Sequence, residues 1–488
     1  MSSKNTQSSN SSHTQTACGK PANERLQRGL TKKVTSYFKS YAEPESQGLF
    51  SIARNVFSAS FILPIFDEPI EALECFLALP VNDGVRSVWV FNAPENCSDD
   101  ARQRTQDALS HFKNRLAASL IFGNVYEAHL SDFHHLILVD RCSVGRAIPP
   151  EKGVGLARKI GADIAVALAT QTLPSSENHV SQRGAVEPSV VEAPHWLYFC
   201  DADVRLPSDY FDQRLLTNND NNCAPSAYIF PFEHCPDPGV ELETELYDFK
   251  LRYYVEQLAR AGSTYAYHAL GSVMVVNSVD YIAVRGVPTR AAGEDFYLLN
   301  KLNKLNGVCS LTRPAIEIAG RLSARVPFGT GPAIEQLSKT SDVLQEYRYY
   351  HPLIFQELAW LLNTQKALAA SSDALSRSAD QGAADQSVCS IAALWEEMLS
   401  NNERIKSVLA ELRVDRFIEH CRRQNVNAKR FQKAFNDWFD ALATLRFVHL
   451  MRDRYYPNLS LSDIEKAAPH LSDDLASRCK KILFRGSP

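Results

Sequence analysis

No stretch of the 488 residues is apolar for long enough to cross a bilayer. The longest runs, such as Ile164 to Ala169 and Val273 to Val276, fall far short of the ~20 residues that a spanning helix needs. The first residues are polar and lack the apolar core of a secretory signal, so secretion is not expected. Basic charge is not in excess. Lys and Arg number 52 against 56 Asp and Glu, a net charge of −4, which argues against a nucleic-acid partner. None of the 11 cysteines forms a Cys-x-x-Cys pair and their number is odd, which fits neither a disulfide framework nor a zinc cluster. Reduced thiols in a cytoplasmic protein are the expectation. The glycine-containing turn Pro327-Phe328-Gly329-Thr330-Gly331-Pro332 is not followed by Gly-Lys-Ser/Thr, so it is not a phosphate loop.

What remains is an ordinary composition, 45% hydrophobic and 22% charged, in a chain long enough for two or three domains. Residues 1–49 are rich in Ser, Thr, Asn and Gln and read as a disordered tail leading into a short helix near Leu30 to Tyr41. From about Phe50 to Pro332, apolar runs alternate with helical spacing. Phe57 to Ile65, Val85 to Phe91, Leu136 to Val139 and Trp196 to Cys200 read as buried strands. Ile70 to Leu79, Arg102 to Ile121 and Gly153 to Leu168 read as helices between them, and 170–194 as an insertion loop. This alternation predicts a mostly parallel α/β sheet with helices on both faces. Ligands bind such sheets at the carboxyl ends of the strands. Residues 333–488 are helical in pattern, with long stretches over Val343 to Leu362, Ile391 to Leu412 and Ala428 to Met451, and a flexible connection over Ala369 to Ser390. Trp360, Trp395 and Trp438 read as core of this helical domain, which is open to acceptor binding or to self-association.

Two acidic spots carry the chemistry. The first is Asp201-Ala202-Asp203, where the strand Trp196 to Cys200 stops. Carboxylates at the mouth of a buried strand need a cation, and a divalent metal holding phosphates would supply one. A turn cap is the ordinary alternative. The second is Gly293-Glu294-Asp295, in the first turn of a helix marked by Leu298, Leu299, Leu302 and Leu305. Dipole capping is the ordinary explanation there. Arg321 and Arg325 are a solvated face unless they point into the site, where they would hold a diphosphate or an anionic acceptor.

In their order along the chain these features resemble the GT-A-fold glycosyltransferases, specifically the family 2 inverting nucleotide-sugar enzymes. Pro64-Ile65-Phe66-Asp67-Glu68 is similar to that family's first-strand exit around the nucleoside. Gly153 to Gly161 resembles its donor-side helix opening, Asp201-Ala202-Asp203 its metal-binding motif, Gly271-Ser272 its sugar loop and Glu294-Asp295 its catalytic pair. The chain departs from the family at Asn92-Ala93-Pro94, where aspartates are usual, which leaves the donor base open.

The resemblance implies a nucleoside-diphosphate sugar donor, a hydroxyl acceptor and Mg²⁺ or Mn²⁺. In it Asp203 holds the metal, Asp201 contacts metal or ribose, and Asp295 is the base that gives inversion. Glu294 orients the acceptor or caps the helix, while Pro64, Phe66, Glu68, Asn92, Lys152, Arg158, Gly271 and Ser272 line the donor. The same residues leave room for a retaining transferase, with His268 or His351 as an added metal ligand, and for a non-catalytic scaffold. A soluble or peripherally attached enzyme is expected rather than a membrane-embedded synthase.

Overall fold

All seven residues of β1 (Ala59–Ile65) are buried, so this strand must be covered on both faces. The computed structural model describes residues 32–49, 57–80, 84–131, 134–169, 195–216, 224–322, 329–378, 395, 397–424 and 428–485. A helix over 32–40 (α1) and α2 (Pro44–Gln47) precede β1. After it come α3 (Ile70–Leu77), β2 (Val85–Asn92), α4 (Asp99–Arg115), β3 (Ser119–Phe122), β4 (Val125–Ser131), β5 (His134–Arg141), α5 (Gly153–Ala169) and β6 (Trp196–Phe199). Next are β7 (Val204–Arg205), β8 (Ala227–Ile229), β9 (Phe232–Pro236), α6 (Glu241–Arg260) and β10 (Met274–Asn277). The α/β part closes with α7 (Ser278–Ala283), α8 (Glu294–Asn303), β11 (Val308–Ser310) and β12 (Ile316–Gly320).

The main sheet has the order β11-β8-β10-β6-β1-β2-β5-β4-β3. Its centre, β6-β1-β2-β5, is parallel, and the antiparallel pairings lie towards the two edges. The mixed, centrally parallel sheet with helices on its faces, followed by an all-helical region, is a Rossmann-like α/β architecture of the kind expected from the sequence. The chain grows outward from β1 through β2 to β5, then crosses back by α5 to place β6 on the other side of β1. The order therefore reverses between β1 and β6, the switch point where open α/β sheets leave a crevice. A second sheet, β7-β12-β9, stands beside that crevice.

Several sequence expectations change. The helix expected to reach Ile121 stops at Arg115, and Ser119–Phe122 pairs with β4 instead, through the two-residue turn Gly123-Asn124. Because β3 is largely exposed, no buried alternation marks it. Residues 32–49 pack on the domain rather than trailing from it. Val34 and Tyr37 are buried, and the Tyr37 hydroxyl donates to Asp163 at 2.5 Å. Asp163 also accepts from Tyr281, from the Glu43 amide and from Lys159, so a fully buried carboxylate is saturated with donors.

In the helical region, α9 (Thr330–Ser338), α10 (Val343–Glu346) and α11 (Pro352–Ser378) come first. Pro352 starts a new helix, so Val343 to Leu362 is two elements, and α11 continues through the first part of the expected connection. Ile391 to Leu412 is also divided: 395 and 397–400 are helical, and a separate helix, capped by Asn402, spans Glu403–Glu411. Ala428 to Met451 divides into Ala428–Trp438 and Ala441–Arg454 at Asp440, whose side chain accepts from the Ala443 amide. Trp395 is fully buried against Phe431 and Phe435, and Trp438 stacks on Phe417 at 4.8 Å, as core. The aromatic face of α6, Phe249 and Tyr253, belongs to this second core. Among the described residues no helix is long and apolar enough to cross a membrane. The insertion 170–194, Arg325 and Pro327-Phe328 lie outside the described residues.

Candidate active site

Three strand exits and one helix start meet at the switch point. β1 leaves the sheet at half-buried Phe66, and Asp67 takes a left-handed conformation (φ 56°) while its carboxylate pairs with Arg104 at 2.6 Å. That turn directs Glu68 into the crevice, where it is 8% exposed. β6 leaves the sheet at Asp201-Ala202-Asp203, and β7 follows at once. Because β7 pairs with β12 (Val204 with Ile318) and the Ala319 amide donates to the Asp203 carbonyl, Arg321 is delivered next to Asp203.

Arg321 forks onto Glu68, with Nη2 to Oε1 at 2.6 Å and Nη1 to Oε2 at 3.2 Å, and Nη2 also donates to Asp203 Oδ2 at 3.1 Å. Bidentate guanidinium–carboxylate pairs are the strong, orienting kind. Burial would loosen the Arg321 proton, and the hydrogen bond to Glu68 with the charge of Asp203 outweighs it.

A second arginine makes a second bridge. Arg158, 5% exposed on α5, donates through Nη2 to Asp201 and through Nη1 to Glu294. Gly293 holds the left-handed conformation (φ 73°) at the start of α8, which turns Glu294 inward to 2% exposure. Asp295 sits beside this bridge, accepting from the Phe296 amide at 2.7 Å. Burial first, and then the Glu294 charge, push the Asp295 carboxyl from 3.8 up to about 7, against the opposing pull of Arg158. Tyr247 of α6 also feels the Asp295 charge, and burial pushes its hydroxyl up to about 12. The far end of α8 is braced by the helical region: Asp440 accepts from Asn300 at 3.0 Å and from Lys304 at 2.6 Å.

The expected site residues separate into two groups. Glu68 and Asp203 meet on Arg321, and Asp201 and Glu294 meet on Arg158 with Asp295 beside them, so the Asp201-Ala202-Asp203 turn carries one carboxylate of each bridge. Gly271 and Ser272 are buried beside it in a short 3₁₀ turn, with Gly271 directly against the Arg158 guanidinium. Pro64 is buried within β1, paired with Val90. Asn92 is 6% exposed with its Oδ1 enclosed and unpartnered. Lys152 is exposed and lines a different cavity of about 620 Å³ with Arg141, Arg146, Glu43 and Glu45. His268 packs edge-on against Phe232 at 4.9 Å, and His351 lies against Tyr456.

The side chains of Asp201 and Asp203 are 35% and 31% exposed. Solvent-reachable carboxylate oxygens on one turn are the donor set that Mg²⁺ or Mn²⁺ takes together with phosphate oxygens. A different donor set, Glu127, His129 and His135, brings three ligand atoms within 4.8 Å of one another and suits a divalent transition metal by type. Sequence reasoning missed it, although Glu127 and His129 share one strand face by their spacing. It lies at the amino end of β5, five residues or ~17 Å of strand from the exit at Asp140. Arg86 Nε donates to His135 Nδ1 at 3.1 Å, which leaves the ring proton on Nε2, facing Glu127. Metal-bound histidines have the opposite polarity, donating from the second nitrogen.

No family model and no curated protein matches the chain. Among solved structures it is similar to a mannosyltransferase, PcManGT from Pyrobaculum calidifontis, determined in complex with GDP-Man and Mn2+. The identity is 14%, the match covers 62% of this chain and 67% of that chain, and the TM-score is 0.29.

Proposed function

We propose that this chain is a metal-dependent glycosyltransferase that moves a sugar from a nucleoside-diphosphate sugar to an acceptor hydroxyl with inversion. One observation carries the reading. Two acidic motifs more than ninety residues apart in sequence, Asp201/Asp203 and Glu294/Asp295, are brought together by Arg158, which bonds Asp201 of one and Glu294 of the other.

Asp203, with Asp201, would hold Mg²⁺ or Mn²⁺, whose Lewis acidity offsets the charge developing on the diphosphate leaving group. Asp295 takes the proton from the acceptor hydroxyl as its oxygen attacks the anomeric carbon opposite the leaving group. A carboxyl that titrates near 7 is better matched to accepting that proton than one at 3.8. Glu294 is committed to Arg158, which supports a positioning role and argues against its contacting the acceptor. Phe66 and Glu68 at the β1 exit border the nucleoside side of the crevice.

The test has two parts. A nucleoside diphosphate and Mn²⁺ added together should raise Tm more than either alone, because ligand that binds only the folded state stabilises it. With a donor identified, NMR should show the product anomer inverted. Absence of any joint stabilisation across the common nucleoside diphosphates would contradict the reading, and a retained anomer would remove Asp295 from its role.

A further inference from the structure

Arg158 was expected to line the donor. It is 94% shielded at the side chain, and its two terminal nitrogens each donate to a carboxylate, Nη2 to Asp201 and Nη1 to Glu294. Its position has a second determinant. A Cβ on Gly271 would sit under 3.0 Å from the Arg158 Cζ, Nη1 and Nη2, a distance that real Cβ atoms essentially never show. Gly271 has no left-handed φ that would demand glycine, so alanine suits its backbone, and the three atoms nearest to the added methyl all belong to a guanidinium that two carboxylates hold in place. The glycine expected to line a sugar is, in this fold, the floor under a guanidinium.

We propose that Arg158 is a positioning residue: a two-armed clamp that fixes the metal-motif turn after β6 to the first turn of α8, with Gly271 as its seat. This rests on the sugar-transfer reading for its purpose, though not for its existence. The turn and the helix come from elements 43 and 136 residues away from Arg158 in sequence. No hydrogen bond between Asp201 and Glu294 can hold them together, since both are acceptors when ionised. The planar fork spans the two carboxylates, whereas a lysine ammonium is a point charge on a flexible stem. Charged groups that face the clamp are Asp201 from the β6 exit and Glu294 and Asp295 from α8. One guanidinium thus aligns the group that would meet the leaving diphosphate with the group that would deprotonate the acceptor. It does so without touching either substrate.

Two measurements test this. The first needs no activity: the Tm of Gly271→Ala, Arg158→Ala and the double variant. Gly271→Ala should lower Tm in the parent and cost much less once Arg158→Ala has removed the group that the new methyl meets. Additive losses would overturn the seat. The second uses turnover of a donor in Gly271→Ala and Arg158→Lys. Both should lose about tenfold or more in kcat, with the donor KM changed less than about threefold, because misalignment rather than binding is what is lost. A raised KM with kcat intact would restore a direct donor contact and overturn the clamp. Full kcat in Arg158→Lys would also overturn it, since charge alone would then suffice. A non-additive Tm cycle in a protein that turns over no nucleotide sugar leaves the clamp standing and removes the sugar-transfer reading instead.

Discussion

Asp203 and Arg321 are 118 residues apart in sequence and 3.1 Å apart in the folded chain. The small sheet makes that meeting, because β7 begins at the residue after Asp203 and β12 ends at the residue before Arg321. The same guanidinium holds Glu68, so the exits of the two strands flanking the switch point are tied by one side chain. Arg321→Met should therefore destabilise the fold by about 2 kcal/mol. That is below the ~3–5 of a fully buried pair, because Arg321 is 26% exposed while Glu68 is left nearly buried without its partner. Urea unfolding of the variant and parent measures it.

Asp295→Asn should abolish transfer and also change the pH dependence of stability. The folded carboxyl titrates near 7 and its ordinary value is 3.8, so the folded state holds a proton there that the unfolded state has released. The stability contributed by that proton is complete below the unfolded value and is lost as pH rises through about 7. The asparagine variant does not suffer this loss. Its Tm advantage over the parent should grow between pH 4 and pH 8, as thermal melts across that range will show. Turnover by the parent should rise with pH through the same region, because the base must be ionised.

Asp440→Ala should cost about 2 kcal/mol, since it removes a helix cap and the partner of Lys304 and Asn300 together. Because this contact braces α8, the variant should also lose part of its kcat, and Lys304→Met should reproduce the kinetic loss without the cap. A stability loss with unchanged kcat in both variants would mean that the helical region does not hold α8 in place for turnover.

How much of this was legible in the sequence follows from where each signal resides. Local patterns exposed the buried strands β1, β2, β5 and β6, and α5, because a doubly covered strand is continuously apolar and a long helix is periodic. The Asp201/Asp203 and Glu294/Asp295 motifs were equally visible, each being a short run at an element boundary. Partnerships were not visible. Nothing local says that Glu68 meets a residue 253 positions away, or that Gly271 is small because Arg158 lies on it. Arg158 was expected to line the donor; only the folded chain brings out its burial and its two carboxylate partners, on which the proposed positioning role rests. The β3–β4 hairpin escaped because its outer strand is exposed and therefore carries no hydrophobic period.

The account's central claim is tested most directly by incubating the purified chain with a panel of nucleoside-diphosphate sugars and Mg²⁺ or Mn²⁺, and measuring release of free nucleoside diphosphate. One donor should be hydrolysed slowly by the parent. Asp203→Ala, keeping its fold by circular dichroism, should release it about 100-fold more slowly or not at all. Hydrolysis at the parental rate by Asp203→Ala, or no metal-dependent release from any donor in the panel, would contradict it.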